Sequence, residues 1–203
     1  MESPARDRRL LRLFVLAVLG RWEELARLRR EAPAGEPDRA WREVALQVHV
    51  FAGFPRAVET YGVLERAGGL GHPEPDEILA EPDRPERGRA LFERIYEEHA
   101  AAIRAALGRG HPDFARFIEG HAYGRILSRP GLDPAFRERL AVAALAALGQ
   151  ERQLASHARG CLRLGGSEAD VRSALEAVAD LIAPERFERA RAVLARFVPA
   201  GDQ

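Results

Sequence analysis

Residues Ala122 to Gly160 read AYGRILSRPGLDPAFRERLAVAALAALGQERQLASHARG. Ser128-Arg129-Pro130-Gly131-Leu132-Asp133 interrupts two runs of helical spacing, because proline removes a backbone donor and glycine permits a turn. From Pro134 to Leu148 the chain is dominated by Leu, Ala and Val, which predicts a helix with little polar surface. Gly149 ends that helix, and a second run over 150–164 carries His157 and Cys161. Two helices joined by so short a break form a hairpin, and no alternating strand-like stretch appears on either side. The segment therefore predicts an all-α protein.

The same periodicity extends outward through the chain. It predicts helices over 8–19, 21–32, 38–52, 55–68, 85–108, 112–128, 134–148, 150–164, 168–182 and 184–198, with Gly20, Pro33-Ala34-Gly35, Gly53 with Pro55, Gly108-Arg109-Gly110, Gly165-Gly166 and Pro184 as further breaks. Ser167 is expected to cap its helix, with Glu168 and Asp170 suiting the first turn, and Asp38 is expected to cap another. Gly68 to Pro85, GGLGHPEPDEILAEPDRP, has too many prolines, glycines and acids to bury much surface and reads as a connector.

Length and composition narrow the function classes. At 203 residues, with 46% hydrophobic residues, the chain can build its own core as one or two domains. Basic and acidic residues balance at 31 each, so no charge-driven partnership with nucleic acid or a membrane surface is expected. Every basic residue is arginine, and without lysine there is no Schiff-base or amine-nucleophile chemistry. Cys161 is the lone cysteine, which excludes an intramolecular disulfide and fits a cytoplasmic location. LLRLFVLAVLG near the N-terminus resembles a signal peptide but runs into WEELARLRRE without a cleavage pattern, so a buried helix is expected. No apolar run approaches the roughly 20 residues of a membrane span.

The segment Ala122–Gly160 resembles the carboxymuconolactone decarboxylase family, which includes the alkylhydroperoxidase D-like proteins. The resemblance rests on Ala122-Tyr123-Gly124, the Ser128–Asp133 run, Leu148-Gly149 and His157. It implies an alkylhydroperoxidase D-like helical-hairpin bundle. Val44 to Thr60, VALQVHVFAGFPRAVET, resembles the segment that normally closes a subunit of that family. Leu16–Gly20 also matches Leu145–Gly149, and Leu25-Ala26 matches Leu154-Ala155 in one register. The expected organisation is two unequal tandem copies of the core: a partial repeat over 1–68, a connector over 69–84, and a near-complete domain over 85–203. The resemblance further implies a homo-oligomer, a dimer or trimer of the duplicated chain.

Candidate chemistry collects around the same segment. His157 occupies the family's motif-histidine position and suits proton transfer at neutral pH; the alternative is a surface or interface histidine without catalytic duty. His121 and Arg125 share a helix face, while Tyr123 and Arg125 stand where the family has tryptophan and glutamate. His121, Tyr123 and Arg125 are thus expected to hold a carboxylate or lactone ligand, although Arg125 also reads as an ordinary solvated side chain. Cys161, four residues after His157, is either a thiol for peroxidase-like chemistry with an external reductant or a small buried residue. The two-cysteine peroxidase motif is absent, and Leu28 stands where the first repeat would carry His157. No histidine spacing indicates a metal, and no cofactor motif is present. Three functions compete: a cofactor-free enzyme on a small carboxylated lactone, a thiol peroxidase-like protein, and a non-catalytic ligand-binding or structural descendant.

Overall fold

Each helix begins and ends for local reasons that the sequence carries. The computed structural model describes residues 3–79 and 83–196. Helix α1 spans Pro4–Leu19, started by the Ser3 side chain accepting from the Arg6 amide and by Pro4 in its first turn. It ends at Gly20 in the left-handed region (φ 73°), and α2 follows over Trp22–Arg30. Helix α3 covers Asp38–Arg66 and kinks at Gly53, whose φ of 80° is not helical. Helix α4 is Arg84–Tyr96, α5 is Ala100–Gly108, and α6 is Pro112–Phe117, which continues as a π-helical stretch over Ile118–Leu127. Helices α7 (Pro134–Leu148), α8 (Glu151–Arg163), α9 (Glu168–Glu176) and α10 (Pro184–Leu194) complete the chain. No strand occurs among the described residues, as the periodicity predicts.

Helix α7 is the hub. It packs against α1, α3, α8, α9 and α10, and twelve of its residues are buried, which explains why it reads as apolar nearly all round. Three successive charged residues nevertheless lie in its first half. Rotated by about 100° per residue, they reach three different neighbours. Arg137 meets Glu43 and Gln47 on α3, Glu138 meets His157 on α8, and Arg139 meets Asp7 on α1. One hydrophobic cluster includes residues from α1 and α3 as well as α7, α8 and α9, so the N-terminal helices contribute to the same core as the C-terminal ones.

The hairpin turns after α1 and α7 share a geometry. Gly20 and Gly149 have φ of 73° and 70°, and each donates to the carbonyl three residues before it. The next residues, Arg21 and Gln150, then donate five residues back at 2.9 Å. Asp133 caps α7 by accepting from the Ala135 and Phe136 amides, and Arg129 pairs with Glu43. The Ser128–Asp133 run therefore positions the hairpin.

Several expected boundaries shift for tertiary reasons. The helix expected over 85–108 breaks at Glu97, whose φ is 49° and ψ −129°. Arg163 donates to the Ile95 carbonyl at 2.6 Å and pairs with Glu97 at 3.0 Å; these contacts from α8 hold the corner, although no helix breaker stands in the sequence. The helix expected over 112–128 widens to π geometry, with the Ser128 amide reaching back to Tyr123. There α4 approaches so closely that a Cβ on Gly88 or Gly124 would enter the opposite backbone. The run expected over 168–182 ends at Glu176 and continues as a short 3-10 turn at Ala179–Leu181. Helices 38–52 and 55–68 join across the Gly53 kink. Asp38 sits in the first turn of α3, paired with Arg29, while Pro37 takes the cap position. Residues 1–2 and 80–82, and the end of the 184–198 helix and of the 85–203 segment beyond 196, lie outside the described residues.

Candidate functional site

The α7–α8 hairpin brings two functional groups together. His157 Nδ1 lies 2.7 Å from Glu138 Oε2. The carboxylate is buried, with 2% of its side chain exposed, whereas the imidazole retains 14%. Glycine at 160, one turn beyond His157, makes room for this carboxylate: a Cβ there would stand 2.7 Å from the same Oε2. Because an ionised carboxylate only accepts, the hydrogen bond assigns the proton to Nδ1 and leaves Nε2 as the second functional nitrogen. The ring is steadied further by the Phe51 ring 5.6 Å away, at 62°.

His157 forms part of the wall of a cavity of about 530 Å³. Val50 and Phe51 of α3, Phe92 of α4, Ile103 of α5 and Leu145 and Leu148 of α7 make it mostly apolar. Its polar groups are few: His157, Gln150, Gln153, Tyr96 and Tyr123. The two tyrosines hydrogen-bond through their hydroxyls at 2.9 Å, with Phe92 packed against both rings. Burial pushes both phenols above their ordinary range, Tyr123 well above it, with Tyr96 adding to the effect there. They are therefore neutral at physiological pH and can donate a hydrogen bond. An apolar chamber with a few convergent polar groups is the usual form of a small-molecule site.

The sequence-predicted residues divide between this chamber and other places. His157 and Tyr123 line it. His121 does not; its Nε2 lies 2.8 Å from His49 Nε2, and Phe54 stacks on His49 at 4.9 Å. Burial, with His121 as a smaller contributor, lowers the His49 pKa. Arg125 is exposed on the outer side of the π-helical stretch and is not among the chamber-lining residues. Cys161 is fully buried, and burial, reinforced by Glu138 and Asp170, pushes its thiol up to about 12. It does not present the accessible, low-pKa thiol that peroxidase chemistry needs. No cluster of metal-ligating side chains occurs among the described residues, and no described helix is long and apolar enough to cross a membrane.

The residue that sequence reasoning missed is Glu138. The signal was present as a charged triplet, Arg137-Glu138-Arg139, inside an otherwise apolar helix. Buried carboxylates are rare unless paired, and the hairpin partner carrying His157 is the nearest source of a pair.

In this all-α bundle His157, paired with buried Glu138, thus stands on the wall of an apolar chamber. Residues 112–196, from α6 through α10, match the carboxymuconolactone decarboxylase family. A relative called 4-carboxymuconolactone decarboxylase, from Acinetobacter baylyi, is 34% identical over 80 residues, 39% of this chain and 60% of its own length. A second, called peroxisomal protein 2, from Schizosaccharomyces pombe, is 28% identical over 138 residues, 66% of this chain and 64% of its own length. The chain thus spans less than two thirds of each of these relatives.

Proposed function

We propose that the protein is a carboxymuconolactone decarboxylase-like enzyme that moves a proton on a small carboxylated lactone or related acid. The observation that carries this reading is the 2.7 Å contact between His157 Nδ1 and buried Glu138, with His157 on the wall of the chamber. In such a reaction the bond to the departing carboxylate breaks as carbon dioxide leaves. Its electron pair spreads into the conjugated lactone, and a proton is then delivered to carbon. His157 Nε2 first takes up a proton from solvent, and the imidazolium so formed delivers it to carbon and returns to the neutral Nδ1–H ring, while Glu138 holds the ring orientation and balances the transient charge, a division of labour that fixed acid–base pairs use generally. A neutral tyrosine hydroxyl, from Tyr96 or Tyr123, stabilises the charge growing on the lactone oxygen. The apolar walls lower the local dielectric and strengthen these contacts.

The bacterial relative's name supports the substrate class. The proposal extends to a cytoplasmic homo-oligomer, dimer or trimer, for which the exposed Phe54, Val58 and Phe117 offer apolar contact surface. It also includes the tandem origin of the chain, supported by the matching turns at Gly20 and Gly149. The test is ultraviolet-monitored turnover of 4-carboxymuconolactone by wild type, His157→Gln and Glu138→Gln. Turnover that vanishes in the first variant and falls in the second supports the reading. Wild-type protein with no turnover overturns it.

A further inference from the structure

The His157 chamber is not closed. Through a mouth of about 410 Å³ that shares His157, Tyr96 and Gln153 with it, the chamber adjoins a third space of about 640 Å³. One wall of that outer groove is a single stripe of α8: Arg152, Ser156, Arg159 and Arg163, spaced so that they fall on one helix face. Tyr96 and His99 stand opposite. Among the described residues lining the groove there is no carboxylate. Glu97 pairs with Arg163 at 3.0 Å and Glu98 with His99 at 3.5 Å. In a chain whose total charge is balanced, a basic groove that opens into an apolar chamber is a local asymmetry.

We propose that the site takes an anionic amphiphile. Its apolar body lies in the chamber and its carboxylate or phosphate head rests on the Arg152–Arg159 stripe of the groove. Guanidinium groups suit both heads because they donate in a fork to paired oxygens. The chamber alone falls within the roughly 300–1,000 Å³ of sites that enclose drug-sized ligands, and the groove adds room for a head group at a distance. The inference rests on the proposed function for the reacting part of the ligand, which lies in the chamber beside His157, and makes the head on the arginines a second anionic group that does not react; binding is measured without turnover.

The experiment is calorimetric titration of the whole protein with decanoate, decyl phosphate and decanol, at low and high salt. Both anions are expected to bind roughly tenfold or more tightly than decanol, because they add charge-assisted hydrogen bonds. That advantage is expected to shrink with salt and to disappear in the Arg152→Gln/Arg159→Gln double variant. Leu148→Trp, at the chamber wall, is expected to weaken all three ligands. Either ranking of the two anions supports the proposal and identifies the head group. Equal binding of decanol and decanoate, or unchanged anion binding in the double arginine variant, overturns it. Failure of the decarboxylase reading would appear separately, as absent turnover with these binding constants intact.

Discussion

Replacing Gly160 with alanine probes the site through one added carbon. The new Cβ would stand 2.7 Å from Glu138 Oε2, 3.1 Å from its Cδ and 3.4 Å from Ile95 Cγ2. Ordinary carbon contacts begin near 3.5 Å, so the carboxylate must retreat by roughly 0.8 Å. A solvated glutamate would swing away at little cost, but Glu138 is only 1% exposed and sits inside the hub helix. Alanine improves helix propensity by about 1 kcal/mol over glycine, while overpacking a filled interior costs about 1–3 kcal/mol. The net destabilisation is therefore about 0–2 kcal/mol, a fall in Tm of up to ~8 °C for a chain of this size. The catalytic effect should be larger in proportion. The oxygen that moves is the one bonded to His157 Nδ1, and a misplacement near 1 Å can cost on the order of 100-fold. Gly160 does not line the chamber, so the expected result is a kcat lowered on the order of 10- to 100-fold with KM nearly unchanged. Gly108→Ala, where a Cβ meets nothing within 4 Å, serves as the silent control. Unchanged kcat in Gly160→Ala, with a crystal structure of the variant showing the histidine–carboxylate contact kept, would show that the glycine does not set the position of Glu138.

Other perturbations follow from the same packing. Glu43→Gln withdraws the charge that Arg129 and buried Arg137 share. Breaking a buried pair from one side typically costs about 3–5 kcal/mol, which a urea melt would show as a lowered midpoint. Cys161, with its thiol pushed up to about 12 by burial, should resist an aromatic disulfide reagent in the native state and react on unfolding; rapid native reaction would contradict its placement. Burial lowers the His49 pKa from 6.5, so the fold favours the neutral ring and the unfolded chain takes up the proton first. The stability this contributes is present above about pH 6.5 and is lost as pH falls below it towards and through the folded value. His49→Gln should flatten that part of the curve of Tm against pH.

Much of the fold was legible because it is local. Gly20, Gly149 and Ser167 mark helix ends by turn and cap chemistry alone, and the apolar run of α7 announces the hub. What could not be read is what another element imposes from a distance. The break at Glu97 depends on Arg163, 66 positions later, and the π geometry accompanies a close approach of α4 at Gly88 and Gly124. The site follows the same division. His157 was visible through its motif position, whereas Glu138 looked like an ordinary helix charge until the hairpin placed it beneath the imidazole. His121 and Arg125 share a helix face as their spacing predicts, but the chamber lies elsewhere: His121 meets His49, and Arg125 is exposed outside the chamber lining. Periodicity groups residues on a face without saying which face meets a cavity.

The most direct measurement of the central claim is the nitrogen NMR signature of the His157 ring, in wild type and in Glu138→Gln. The neutral ring is expected to carry its proton on Nδ1 and keep Nε2 unprotonated, with the Nε2 signal shifting when a chamber ligand is added. The Nδ1 proton signal should move in the glutamine variant. A neutral ring with its proton on Nε2 instead, or one indifferent to both Glu138 and ligand, would overturn that assignment.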